Sequence, residues 1–464
     1  MLRRRFTRAA MPDNSAVIKN PVTKHLAQFV ADTQWDALTA PVIHQAKRAL
    51  VNFFAVALSG CRAPAIETAL ASLARFSGGK QATVIGRGER LDALSAAFLN
   101  AASANVLDFC DTHVPTVIHP TAPLAPALFA LGELRRLGGR ELILAFVLGA
   151  EIECRIGLAI SPSHYRRGWH ITATCGVFGA AAGSGKCLAL KAEPLLAALG
   201  LAATQAAGLC ECLGTPAKSI HVGNAARNGL WSALLAADGL AGPAEPLTGE
   251  QGYFHALAET PRLSLLTDGL GEPWELMQTA FKPYPCGFVV HPVLDCVIDW
   301  RRAHPDAIVE TVTVTGNPLL AARTDRPNIS TSGQSQVSVQ HAVAAALVTD
   351  KAGVEQFGDA CVNDPRVVAL RGKVTVKRDD GFATTAAAVE IATADGKIHK
   401  LHQRAARGSE DNPMTDRELE DKLREAAAGA IPGNDIAALI EAIWTVDECP
   451  DIARLLAMTA PRTN

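Results

Sequence analysis

The sequence predicts a mainly helical protein, in which a large all-helical domain carries a smaller inserted α+β lid domain. Three observations predict it. Hydrophobic residues make up 48% of the chain but aromatic residues only 5%, so Ala, Leu and Val must build the core and helices can pack closely. Apolar residues recur at helical spacing up to residue 270, and period-two, β-branched stretches occur only beyond it. The length, 464 residues, suits two or three domains with a large core.

Taken in order, the first ten residues are basic and acid-free but precede no apolar h-region, so residues 1–17 are read as a disordered extension. Asn20-Pro21-Val22-Thr23 opens a helix to about Asp32. Thr39 as N-cap and Pro41 in the first turn start a second, with Val42, Ala46, Ala49, Leu50 and Phe53 on one face. A third covers 65–76, and 82–85 reads as an isolated extended piece. Helices are then expected at 93–107 and 124–136, at Glu151 and Arg155 (four apart, a pairing distance), at 173–188, from 195 to about Leu209, and at 225–240. From 271 to 405 the pattern is a helix from His291, a strand at 309–314, a helix at 337–348, and strands at 373–377, 386–392 and 398–403. Residues 406–464 resume helices expected to return to the first domain, which would span 18–270.

Composition excludes some functions. The net charge is −2 and no Lys/Arg-rich block follows the N-terminus, which argues against nucleic acid as a partner. No 18-residue apolar run free of charges marks a membrane span. The eleven cysteines include no Cys-x-x-Cys, so they read as reduced thiols of a cytoplasmic protein and not as a zinc or iron–sulfur framework.

Four polar segments interrupt the apolar helices. Asn105 to Pro120 brings Asp108, Asp111, Thr112, His113 and His119 between two helices, and Pro115 and Pro120 make it an irregular turn. Arg166 to Thr172 contains His170. Gly214 to Asn224 contains Lys218, Ser219 and His221 ahead of a helix whose N-terminal amides favour an anion. Phe281 to Gly287 contains Lys282. Each alone also fits a plainer role: a helix cap, a core histidine, a solvated lysine, and for His341 a core position on an apolar helix. Together, Asp108, Thr112, His119, His170, Lys218 and Lys282 form an inventory for holding a small polycarboxylate and moving one proton.

With these residues in hand, the chain resembles the MmgE/PrpD family, which includes 2-methylcitrate dehydratase, cis-aconitate decarboxylase and iminodisuccinate epimerase. The ordered motifs are Asp108-Phe-Cys-Asp-Thr112-His, His119-Pro120, Gly168-Trp-His170-x-Thr172, Lys218-Ser-Ile-His-x-Gly223-Asn-Ala-Ala226, Lys282-Pro-Tyr-Pro-Cys286 and Asn412-Pro-Met-Thr415. The resemblance implies a helical domain, a lid and a site between them, in a homodimer without metal or organic cofactor. It places Asp108, Thr112, His119, His170, Lys218 and Lys282 in the pocket. On that basis His119, His170 and Asp108 are read as the catalytic set, and Thr112, Lys218, Lys282, His341 and His221 as the substrate-binding set. Three departures stand out: Cys110 where the family has Asp, Gly287 where the decarboxylase-like pattern has His, and His341 where it has Tyr. Asn105 stands where His is common, and Asn52 where Asp is common.

The implied chemistry is proton transfer at a carbon next to a carboxylate, where cations stabilise the enediolate that develops. A 2-methylcitrate-dehydratase-like hydro-lyase ranks first, an iminodisuccinate-type epimerase next, and a cis-aconitate-type decarboxylase after it because of the departures. Two readings come from other classes. Asp108 and Asp111 at i, i+3 fit a magnesium–diphosphate site of the terpenoid-synthase kind, and a non-catalytic helical scaffold needs no site at all.

Overall fold

Apolar helices of small residues stack into the body because nearly every face of them is buried. The computed structural model describes residues 21–461, so the basic extension read at 1–17 lies outside the described residues. Helix Ala217–Ala237 packs against both Ile171–Cys187 and Ala93–Asn105, and Gly139–Ile160 packs on Ile171–Cys187 from the other side. Close approach is written into the sequence. Gly229 of the Ala217 helix meets Ala180, and a Cβ there would overlap it.

The expected body helices form, with shifts at their ends. Val22–Asp32, Ala40–Gly60, Pro64–Leu73, Ala93–Asn105 and Thr121–Arg135 match the periodicity. Asp92 caps the fourth, accepting from Ser95 N at 2.9 Å. The run at 82–85 is not isolated: β1 (Ala82–Thr83) pairs antiparallel with β2 (Arg90–Leu91). The Ala192–Ala203 helix begins at the residues read as a gap and ends earlier than expected. The Ala217 helix also starts sooner, just after Pro216, because polar side chains on a first turn do not stop a helix.

The lid is a four-stranded mixed sheet with helices on one face. β5 (Val309–Gly316) lies at its centre, parallel to β6 (Val374–Arg378) and antiparallel to β7 (Ala387–Thr393), and β7 pairs antiparallel with β8 (Ile398–Gln403). Val312 and Val314 of β5 and Val389 and Ile391 of β7 bury against helices His291–Ala303 and Val339–Thr349. This small core is separate from that of the body.

After β8 the chain returns to the body. Thr415 and Glu418 form a reciprocal cap that starts helix Asp416–Ala427. Its Leu419 and Leu423 share one core with Leu50 and Phe53 of the Ala40 helix. Among the described residues, no single helix is long and apolar enough to cross a membrane.

Candidate active site

Two adjacent strands bring the first and fourth polar segments together. β3 (Thr112–His113) pairs antiparallel with β4 (Thr279–Ala280), so the Asp108 loop lies beside the residues that lead into Lys282. Gly408, with φ +89°, lets the returning chain close against Phe281, whose N–H donates to Gly408 O at 3.1 Å. A buried network braces the same junction. Arg155 Nε donates to Glu151 at 2.9 Å and lies 3.2 Å from Glu275, and Glu275 lies 3.1 Å from His113 Nε2. The Glu151–Arg155 pair expected along a helix face is thus a buried anchor.

Asp108 is the hub. Its φ of +49° is rare for a residue with a Cβ and turns its carboxylate inward. Oδ1 accepts from Lys218 Nζ, and Oδ2 lies 3.2 Å from Lys282 Nζ, which also donates to the Asp108 carbonyl at 3.1 Å. All three side chains are buried. Burial opposes ionisation of Asp108, but the charges of Lys218, then Lys282, outweigh it and hold the carboxyl far below the usual range.

His119 stands next to this triad, with Nε2 3.8 Å from Asp108 Oδ1. Its other nitrogen is fixed: Nδ1–H donates to Asp111 O at 2.6 Å, and Thr112 Oγ1 lies 3.2 Å away. That hydrogen bond leaves the Nε2 lone pair facing the carboxylate and lysines. Burial, then Lys282 and Lys218, push its pKa down to about 3, so the ring is neutral at pH 7. Two lysines, one carboxylate and a neutral ring leave one unit of positive charge, which suits an anion. Asp108 therefore holds the lysines first, with His119 farther off at 3.8 Å. Thr112 Oγ1 touches His119.

His170 and His221 form a second pair, with Nδ1 of the first 2.6 Å from Nε2 of the second. Burial lowers both; the charge of His221, then Lys218, His119 and Asp108, acts on His170, which ties this pair electrically to the hub. The Thr172 hydroxyl, two residues on, accepts from His119 N at 3.2 Å.

His341 is not brought to this cluster. Its Nε2–H donates to Gln356 O at 2.8 Å, and its ring meets Phe357 edge-on, so its contacts are with the lid interior. The expected substrate-binding role finds no support in these contacts, because the apolar face of the Val339 helix turns it into the lid core. Asp108 and Asp111 also part company. Asp111 accepts from Thr121 Oγ1, away from the lysines, so the two carboxylates do not form the divalent-metal face expected of a diphosphate site. Two of the departures from the family pattern meet: Asn105 Nδ2 lies 3.4 Å from Cys110 Sγ. At Gly287 a Cβ would meet only Thr324 and Gln336, at 3.7 and 3.9 Å, leaving side-chain room.

Three groups near the site escaped the sequence reading. His291 is fully buried and its pKa is pushed down to about 3, by burial and then Lys282. Lys422 lies behind Phe109 and Lys282. Glu153 sits in an apolar helix with both carboxyl oxygens unpartnered among the described residues, and Asp111 Oδ1 is likewise unpartnered. The available signal was a charged residue on an apolar helical face.

Burial, then the charge of Asp111, raises the Glu153 pKa well above the ordinary value of 4.5. A folded-state proton that the unfolded chain releases makes stability fall as pH rises above 4.5, by about 1.4 kcal/mol per pH unit up to the folded pKa. Glu153→Gln removes this slope. Its melting temperature relative to the parent is therefore expected to climb between pH 5 and pH 7. A constant gap would show that Glu153 is ionised in the fold.

The geometry gathers two lysines and a carboxylate beside a neutral imidazole, buried where the helical body meets the segment that leads into the smaller domain. Comparison with known proteins agrees at the level of family. Residues 24–266 match the MmgE/PrpD N-terminal domain and residues 284–448 the MmgE/PrpD C-terminal domain. The chain belongs to the MmgE/PrpD family. Among similar proteins are cis-aconitate decarboxylase-like protein oryM of Aspergillus oryzae, 27% identical over 94% of this chain and 97% of that protein. The cis-aconitate decarboxylases of Aspergillus terreus (28% identical over 95% of this chain and 96% of that protein) and Mus musculus (26% over 94% and 93%) are similar over most of their lengths too. These relatives are lyases, and the family membership supports an enzyme of lyase type.

Proposed function

We propose that the chain is a cofactor-independent lyase that moves one proton next to a carboxylate of a small di- or tricarboxylate. One observation carries the reading: His119 Nε2, with Nδ1 held by the Asp111 carbonyl, faces a buried carboxylate shared by two lysines. In this reading Lys218 and Lys282 hold substrate carboxylates, His119 transfers the proton, and the His170–His221 pair serves the opposite side of the reacting carbon. The relatives' names move decarboxylation of a cis-aconitate-type acid ahead of dehydration. Breaking the bond to the departing carboxylate leaves an electron pair that spreads through the double bond toward a second carboxylate. The carbon beside that carboxylate then takes one proton, and carbon dioxide leaves. A trianion entering the site raises the basicity of His119, which then carries the proton in.

A second reading is dehydration of a 2-methylcitrate-type hydroxy acid, favoured by the neutral state of His119. There the imidazole takes the proton beside a carboxylate, and the β-hydroxyl leaves as water.

The deciding measurement incubates the protein with cis-aconitate, 2-methylcitrate and other di- and tricarboxylates in deuterated water. Carbon dioxide with a singly deuterated product supports the first reading, and an unsaturated acid from 2-methylcitrate supports the second. Deuterium in recovered substrate alone would mean an epimerase. No exchange, water loss or carbon dioxide from any acid would overturn the proposal.

A further inference from the structure

Lys422 is a lysine on the apolar face of the Asp416 helix, between Leu419 and Leu423, and it is buried. Its ammonium reaches three carbonyl oxygens from three parts of the chain: Asn52 Oδ1 at 2.7 Å, Phe109 O at 2.8 Å and Lys282 O at 2.8 Å. Nζ also stands 3.6 Å from the centre of the Phe109 ring. Three acceptors at these distances match the three N–H donors of an ammonium and leave no place for a lone pair. Its backbone targets are well placed to matter. Phe109 directly follows Asp108, and the Lys282 carbonyl belongs to the residue whose ammonium meets Asp108 from the other side.

We infer that Lys422 is a positioning residue of the site, an ammonium pin that holds the Asp108 loop and the Lys282 segment at a fixed separation. This rests on the proposed function only for its effect on turnover. The pin touches no reacting atom. It acts because the Asp108 loop lacks regular structure on either side of the left-handed Asp108, and because regular backbone pairing joins the Lys282 segment to that loop through only the two residue pairs of β3 and β4, beside the contacts of the Lys282 ammonium with Asp108. Asn52 supplies an oxygen but no charge, so carbonyl dipoles and the Phe109 face meet the ammonium directly, and Asp111 adds attraction from farther off against burial and the charge of Lys282, which oppose the charged form.

The test uses the full chain with Lys422→Met, which keeps the apolar stem and removes the donors. Hydrogen–deuterium exchange is expected to speed up in 105–113 and 279–287 while 416–427, still buried through Leu419 and Leu423, exchanges as in the parent. With the substrate found above, kcat is expected to fall about 100-fold, the scale for ångström misplacement of reacting groups, with KM within threefold. Parent-like exchange in both segments would overturn the inference. The exchange arm needs no turnover, so a parent inactive on every acid would count against the proposed function and leave the pin to be judged by exchange alone. Should Lys422→Met fail to fold, Asn52→Asp decides. A carboxylate beside a true ammonium is expected to leave the melting temperature within a few degrees of the parent. A drop of more than about 10 °C would mean an uncompensated buried carboxylate, and so no ammonium pin.

Discussion

Asp108→Asn is expected to cost about 3–5 kcal/mol of folding stability, the scale for breaking a buried ion pair by removing one partner. The carboxylate is the shared counter-ion of Lys218 and Lys282, and all three are buried. Asparagine keeps the shape and one acceptor oxygen but leaves two lysine charges facing each other with no anion between them. The pH dependence has a definite sign. The Asp108 pKa is depressed in the fold, so its stabilisation is present above the ordinary carboxylate range and is lost only as pH falls through its depressed folded value. The deficit is therefore expected to be constant from pH 5 to pH 8, unlike the slope expected at Glu153. Urea unfolding across that range checks both points. A deficit below about 1 kcal/mol would show that the lysines find other partners, and the hub would lose its central role.

His119→Ala is expected to lower turnover by about 100- to 10,000-fold, the range for removing a general acid–base group. Substrate affinity should survive, because Lys218 and Lys282 stay in place. A ligand that raises the parent's melting temperature should therefore raise the variant's as well. Folding should survive too, although Asp111 O loses the donor it receives from Nδ1. Near-parent turnover on the true substrate would remove His119 from the mechanism and leave the His170–His221 pair to supply the proton step.

The helical periodicity of the body and the period-two strands of the lid were legible because each is a local pattern that burial enforces. Val309–Gly316 and Val339–Thr349 fall within two residues of their expected ends. Element ends were less legible. The polar segment before residue 225 looked like a loop, yet Lys218 and His221 stand on the first turns of the Ala217 helix. A polar first turn and a polar loop read alike along a sequence, and packing on Ile171–Cys187 decides between them.

The site divides the same way. Asp108, His119, His170, Lys218 and Lys282 were legible as chemistry-bearing residues, because polar groups standing between apolar helices have few structural reasons to be there. Which of them touch was not. Asp108 bridges two lysines that lie 110 and 174 positions away in sequence. Asp111, three residues on, points elsewhere, and His341 turns into the lid.

What the sequence by itself determined is the family, the helical body with its inserted lid, and the residue types available for moving a proton near carboxylates. Only the tertiary structure decided that His119 is neutral, that Asp108 serves lysines before histidines, and that Lys422 stands behind both. Those properties depend on burial and on separations of a few ångströms between distant segments, and no local pattern encodes either.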